Sequence, residues 1–318
     1  MDSSITFNDI KETCHIVYII IKRRIPVFTV AVSIVDIILM IWLVSIGGFA
    51  PPAQNPMLGP NETVLLQHGA KWTPYIVHRG EWWRLISPMF LHVGFVHLIS
   101  NLIVQLCCGW WLEFRYGSLK YGTLYLLSGI GGTLTSAIFL PYLMSVGASG
   151  AIYGTIALFI LDLIQEYYTR YRGSFFVKMS LITTIISLVI SFFIGLLPMI
   201  DNYMHLGGFV FGMELSVIMF LPLTLDFSFW DFFSWNFFSW NFFSWDFSFS
   251  DFYQSWKQLS MKMRIRIAIV PVMLCLYICH TLGFFYLLYE WPDVRIWCPD
   301  CKYLSCIPRI VNGRDWCF

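Results

Sequence analysis

Two residues have the types that could carry out covalent chemistry: Ser149, within Gly147-Ala148-Ser149-Gly150, and His205. A serine hydroxyl is a weak nucleophile until an adjacent base takes its proton, and histidine is the commonest such base. Ser149 stands where a loop enters an apolar segment, and His205 opens another. A helix start sets free backbone N–H groups and the positive end of the helix beside any oxyanion that forms. His97 and Asn101 are spaced i, i+4, so they share a helix face, and both side chains donate hydrogen bonds that suit an oxyanion hole. Together these types support attack on a carbonyl, with Ser149 as nucleophile and His205 as base. Asp201, in the loop before His205, is the one nearby acid, so the site reads as a dyad. No metal and no cofactor is called for. On its own GASG is a weak signal, since a serine in an apolar helix more often bonds back to a carbonyl.

The surroundings strengthen it. Gly150-x-x-x-Gly154 follows Ser149, and His205-x-x-Gly208-x-x-x-Gly212 follows the base. Small residues four apart let membrane helices approach closely, so both chemical groups sit on helices suited to contact. Gly147 and Gly150 flank Ser149 and permit a tight turn into the helix. Tyr153 lies one turn deeper than Ser149 on the same face and is expected to stack on the imidazole. Met204 puts a bulky side chain beside the base and is expected to loosen the contact between the two helices.

The elements that must hold these residues are membrane helices. Of 318 residues, 58% are hydrophobic and 12% charged, whereas soluble chains hold about 45–50% apolar and ~25% charged residues. A helix needs roughly 20 mostly apolar residues to cross a bilayer. Segments near 27–48, 88–109, 119–141, 149–168, 175–197, 205–222 and 266–289 qualify. The expected fold is all-α: a polytopic helical membrane protein with a six-helix core and a seventh, C-terminal span. Polar groups in membrane helices are rare and point to function. His92, His97 and Asn101 on the second span, Ser149 on the fourth and His205 on the sixth all lie near span starts. Even-numbered spans run in one direction, so these groups would share a depth and meet in one cavity.

Short-loop Lys and Arg residues set orientation. Lys22, Arg23 and Arg24 precede the first span. Arg115 and Lys120 follow the second, Arg170, Arg172 and Lys178 the fourth, and Lys257, Lys262, Arg264 and Arg266 the sixth. This places the N-terminus in the cytosol and the C-terminus outside it. The expected divisions are 1–25 cytosolic, 26–222 six-helix core, 223–265 cytosolic loop, 266–289 seventh span and 290–318 extracytoplasmic tail. Asn61-Glu62-Thr63 is a glycosylation sequon on the extracytoplasmic side. Trp230–Asp246 repeats five residues, WDFFS then WNFFS, and reads as a segment lying on the headgroups, or as an expanded tandem repeat without function. Cys298, Cys301, Cys306 and Cys317 cluster in the tail, where an oxidising compartment favours two disulfides over a zinc site and leaves three pairings open.

These motifs resemble the rhomboid family of intramembrane serine proteases. The resemblance rests on His97-x-x-x-Asn101, GASG with Tyr153 and Gly154, and His205-x-x-Gly208-x-x-x-Gly212. Trp83-Arg84 in the first loop and Glu113-x-x-x-Gly117 after the second span add to it. It covers about residues 26–222, and the extra span resembles the six-plus-one form of eukaryotic secretory-pathway members. It implies that Ser149 attacks, that His205 moves the proton, and that Asn101, His97 and the Ser149 amide hold the oxyanion. Trp83, Arg84, Glu113 and Gly117 would be structural, with Glu113 bonded to nearby backbone or to Arg115. Substrates would be single-span membrane proteins cut near the outer face, and the fifth span the gate through which they enter. The partners expected are these substrates and the lipid bilayer. A net charge of +1 gives no reason to expect nucleic acid, and no pattern sets the oligomeric state. The rival readings are a non-catalytic rhomboid-like protein that binds clients and governs trafficking, and a transporter. A transporter would call for paired intramembrane acids or inverted repeats, but Asp36 and Asp162 fall at non-corresponding places.

Overall fold

The structure, a computed structural model, describes residues 26–168, 171–196, 200–221, 261–290, 293–304, 310–311 and 314–315. The Trp230–Asp246 repeat, Cys306, Cys317 and the first 25 residues lie outside the described residues. The described helices, in chain order, are α1 (Val27–Gly47), α2 (Glu62–Gln67), α3 (Thr73–Arg79), α4 (Phe95–Tyr116), α5 (Ser118–Phe139), α6 (Ser149–Tyr168), α7 (Phe175–Ile194), α8 (Asn202–Phe220), α9 (Met261–Glu290) and α10 (Val294–Trp297). Seven of them, α1 and α4 to α9, are long and apolar enough to cross a membrane. The protein is a polytopic helical membrane protein. A two-residue antiparallel pair, Ile310–Val311 with Arg314–Asp315, ends the described chain.

Helices α5, α6 and α8 form the buried centre, and α7 and α9 lie outside it. Lipid tails are as apolar as leucine, so membrane helices associate by close packing and not by the hydrophobic effect. Helix α5 supplies the small residues that packing needs. Cβ atoms added to Gly131 and Gly132 would strike Phe211 and the Met204 carbonyl of α8. Around this centre, Ile34 and Ile38 of α1, Trp110 of α4 and Phe193 of α7 remain exposed, as lipid contact requires.

Polar anchors fix the periphery. The first amides of a helix lack intrahelical partners. For α1 these are met by Glu113, which accepts from Phe28 N at 2.8 Å and from Thr29 N and Oγ1, both at 2.7 Å. Glu113 thus bonds to backbone as expected, but from α1, and Arg115 goes elsewhere. Arg115 reaches α6, pairing with Asp162 at 2.8 Å and also with Glu166. Gly117, at φ +87, closes α4 in a backbone region open to glycine. Arg84 is 4% exposed and donates to Glu81 at 2.5 Å and to the Leu66 and Ala70 carbonyls at 2.8 Å, so it ties the α1–α4 loop together, while Trp83 stays exposed. Asp36 accepts from Gln105 at 3.1 Å and Asp162 from Trp111 at 3.3 Å, and Glu214 of α8 meets His280 of α9 at 2.5 Å, so these intramembrane acids serve helix contacts.

One span departs clearly from its expected bounds. The second runs Phe95–Tyr116, not 88–109. Pro88 sits in a short 3-10 turn, Ser87–Phe90, and Leu91 and Gly94 are extended, so the helix starts late. Gly109 does not end it. It stays helical at φ −64 after a π-turn, Gln105–Gly109, packed beneath Tyr121 and Thr29 of neighbouring helices. His92 consequently lies in the loop before α4, buried, and not on the span.

Candidate active site

The starts of α4, α6 and α8 open into one cavity of about 450 Å³, lined among others by His97, Asn101, Ser149, Tyr153, Asp201 and His205. That volume is in the usual range for ligand sites. Each group arrives there for a local reason.

Ser149 is the first residue of α6. The first backbone bond into the helix is Ile152 N to Ala148 O, which leaves the Ser149 amide in the open first turn. The loop ahead is fixed by Gly147 N donating to Pro88 O at 2.9 Å. Gly147 has φ +137, and a Cβ there would come within 2.6 Å of the His97 ring and 3.6 Å of Asn101 Nδ2. A side chain at 147 is therefore excluded twice, by conformation and by space. The same contact shows that His97 and Asn101 flank the loop leading to Ser149. These two also meet each other, with Asn101 Nδ2 3.2 Å from His97 Nε2.

His205 lies in the first turn of α8, which begins at Asn202 and not at the histidine itself. Asp201 sets that start. Its carboxylate accepts from Met204 N at 2.9 Å as the helix cap, and from Ser145 Oγ at 2.5 Å and Ser136 Oγ. The imidazole stacks on Tyr153, with centroids 4.3 Å apart and planes within 8°. Tyr153 Oη is 2.6 Å from Ser191 Oγ of α7. His205 Nδ1 is buried without a hydrogen-bond partner. Among the described residues no carboxylate is hydrogen-bonded to the ring, and Asp201 caps the helix instead. Among the described residues no hydrogen bond joins Ser149 to His205. Contacts of this kind are commonly loose in unliganded sites and tighten with substrate.

The two helices meet backbone to backbone. A Cβ on Gly208 would overlap the Gly150 carbonyl, and one on Gly212 would overlap Gly154 Cα. Met204 does not prevent this. Its side chain is 2% exposed and lies over Gly150, which has no Cβ to displace it. The expected loosening between the two helices is thus absent.

Behind the site lies a cluster that sequence reading did not single out. Lys71, fully buried in the α1–α4 loop, donates to Leu140 O at 2.7 Å and pairs its backbone with Ser145 in both directions. Burial pushes its ammonium down to about 8, against the pull of the Asp201 carboxylate. Asp201 stands out in the sequence only as the one acid near His205, and its capping of α8 is seen in the structure. Lys71, Ser136 and Ser145 carried no spacing signal that would have found them.

In the tail, Cys298 and Cys301 are bonded to each other. Cys306 and Cys317 lie outside the described residues.

Residues 79–222 match the Rhomboid domain. Over this stretch the chain is similar to the rhomboid family. Among curated rhomboid proteins, "RHOMBOID-like protein 6, mitochondrial" of Arabidopsis thaliana is 37% identical over 173 residues, 54% of this chain and 55% of that one. "Rhomboid-type serine protease 2" of Emericella nidulans is 31% identical over 258 residues, 65% of this chain and 50% of that one. "Inactive RHOMBOID-like protein 8" of Arabidopsis thaliana is 31% identical over 163 residues, 51% of this chain and 45% of that one. The chain spans about half the length of these curated rhomboid relatives.

Proposed function

We propose that the protein is an intramembrane serine endopeptidase that cleaves single-span membrane proteins near the extracytoplasmic end of their span. Ser149 attacks the scissile carbonyl. His205 takes the proton from its hydroxyl and returns it to the leaving amine. The Ser149 amide, Asn101 and His97 hold the oxyanion, and Trp83, Arg84, Glu113 and Gly117 maintain the surrounding frame. The observation that carries this reading is that Ser149 and His205 line one cavity, on helices joined through Gly150 and Gly208. The short-loop basic residues and the Cys298–Cys301 bond support an N-terminus in the cytosol, a tail outside it, and residence in the secretory pathway or plasma membrane.

The test is co-expression with single-span reporters bearing small or helix-breaking residues at the outer boundary. Cleavage is expected with the unaltered chain and lost in Ser149→Ala and in His205→Ala. Cleavage persisting in Ser149→Ala overturns the assignment.

A second reading is a non-catalytic, client-binding rhomboid protein, and the match to a relative named inactive is what favours it. It predicts reporters captured but uncut, with Ser149 unlabelled by a fluorophosphonate.

A further inference from the structure

Two residues stand between the cap Asp201 and the Met204-His205 pair, and both point away from the cavity toward the end of the chain. Asn202 is 1% exposed. Its Nδ2 donates to the Phe192 carbonyl in the last turn of α7 at 3.1 Å and to the Leu304 carbonyl in the tail at 3.0 Å. Tyr203 is 3% exposed, and its hydroxyl donates to the Cys301 carbonyl at 2.5 Å. The Tyr203 ring stacks on Phe139 at the end of α5, 4.7 Å away and within 6° of parallel.

The two tail carbonyls belong to one small unit. Residues Pro299–Leu304 form a 3-10 turn. It is anchored by Cys298 N donating to Val294 O at 2.7 Å and Cys301 N to Cys298 O at 3.2 Å, and closed by the Cys298–Cys301 bond. The preceding helix brings it there, with Leu288 fully buried against Ile76, Leu85, Leu134 and Ala137. On the other side, α7 buries none of its residues. Its site end is held by polar ties, Ser191 to Tyr153 and the Phe192 carbonyl to Asn202. Gly195 completes the fit, since a Cβ there would overlap Asn202 Oδ1.

These ties from the tail and from α7 end on Asn202 and Tyr203, in the same first turn of α8 as His205, or on Tyr153, which stacks on its ring. We propose that Asn202 and Tyr203 are positioning residues for His205, and that the disulfide-closed turn 298–304 is the support they act through. The turn holds the first turn of α8, and through Asn202 it holds the site end of α7 in the same place. This inference rests on the Ser149–His205 reading for its catalytic consequence, but the mechanical link stands without it.

The experiment uses the full chain in detergent or proteoliposomes. It compares the unaltered protein, Tyr203→Phe, Asn202→Ala, Cys298→Ser with Cys301→Ser, and the cysteine pair combined with Tyr203→Phe. Tyr203→Phe keeps the ring stack and deletes one donor. Loss of one neutral hydrogen bond corresponds to about 2- to 13-fold. Tyr203→Phe and the cysteine pair should each lower kcat for reporter cleavage, and the rate of Ser149 labelling by a small fluorophosphonate, by about that factor, with KM unchanged. Because both changes cut one link, the combined variant should be no worse than the more severe of the two. Additive losses, or a raised KM with unchanged kcat, overturn the proposal.

Hydrogen exchange at residues 202–206 in the Ser149→Ala protein reads the link without chemistry. Faster exchange in the cysteine pair supports the link, and unchanged exchange overturns it while leaving the Ser149–His205 reading intact. Faster exchange with no labelling of the unaltered chain would instead place the failure in the catalytic reading.

Discussion

The imidazole of His205 and the ring of Tyr153 lie face to face, 4.3 Å apart, on two helices whose backbones touch one turn deeper. Tyr153 therefore orients the imidazole by contact where, among the described residues, no carboxylate bonds to it. Aromatic pairs of this kind contribute about 0.5–1.5 kcal/mol beyond area burial. Tyr153→Ala is expected to lower kcat about 2- to 13-fold by that measure. Tyr153→Phe keeps the stack and loses only the bond to Ser191, so its deficit should be smaller. Single-turnover cleavage by the two variants, side by side, decides the order.

Gly208 and Gly283 make a matched pair of substitutions on two membrane helices. At Gly208 a methyl group would overlap the Gly150 carbonyl, whereas at Gly283 it would meet nothing within 4 Å. Overpacking costs typically about 1–3 kcal/mol of stability, so Gly208→Ala should lower the thermal midpoint and the activity. Gly283→Ala should be neutral or mildly stabilising, since alanine is the better helix former by about 1 kcal/mol. Thermal unfolding in detergent separates them, and an equal loss in both would contradict the backbone contact.

Lys71 should give the protein a pH dependence on the alkaline side. Its folded ammonium is pushed down to about 8 by burial, against an ordinary value of 10.5. Between those two values the unfolded chain binds more protons than the folded one, so this group's contribution to stability rises with pH. Below about 8 the buried charge weighs against folding, and above 10.5 that cost is gone. The whole change is on the order of 3 kcal/mol. Unfolding midpoints measured from pH 7.5 upward should climb in the unaltered protein relative to Lys71→Met, which lacks the group. Parallel curves would sink the argument.

Glu113 is expected to matter for stability and not for chemistry. Glu113→Gln keeps the shape but removes the charge that receives both Phe28 N and Thr29 N. Hydrogen bonds to a charged group contribute about 1.5–3 kcal/mol, so the midpoint should fall while kcat measured well below it stays unchanged. A drop in kcat at full folding would assign the residue a role that its absence from the cavity lining does not suggest.

Much of this was legible in sequence because membrane helices announce themselves. A stretch of apolar residues of the right length is a strong signal, and six of the seven spans fell close to their expected bounds. The second slipped because Pro88 and Gly94 delay its start and Gly109 stays helical, which depends on what packs against it. Within the site, Gly147, Gly150, Gly154, Gly208 and Gly212 were readable because a missing side chain at fixed spacing has one mechanical use. The Asn101–His97 bond has no sequence signal of its own, since two such side chains at i, i+4 can equally well donate to a third group. The Arg115 pairing with Asp162 and the buried Lys71 were hidden for a different reason. They join loops and helices far apart in the chain, and one charged residue in a loop carries no period. The tail contacts of Asn202 and Tyr203 were invisible too, being set by where α9 returns the chain.

The glycine contacts between α6 and α8 have a consequence for how this protein tolerates change. Where two helices meet through side chains, every substitution at the seam resets their spacing. Here peptide atoms touch peptide atoms, and every residue type carries those atoms alike. The offset between Ser149 and His205 is thus written in four positions, and drift elsewhere in the lipid-facing sequence leaves it untouched. Natural variation around this site should accordingly be wide in identity and narrow in size at residues 150, 154, 208 and 212.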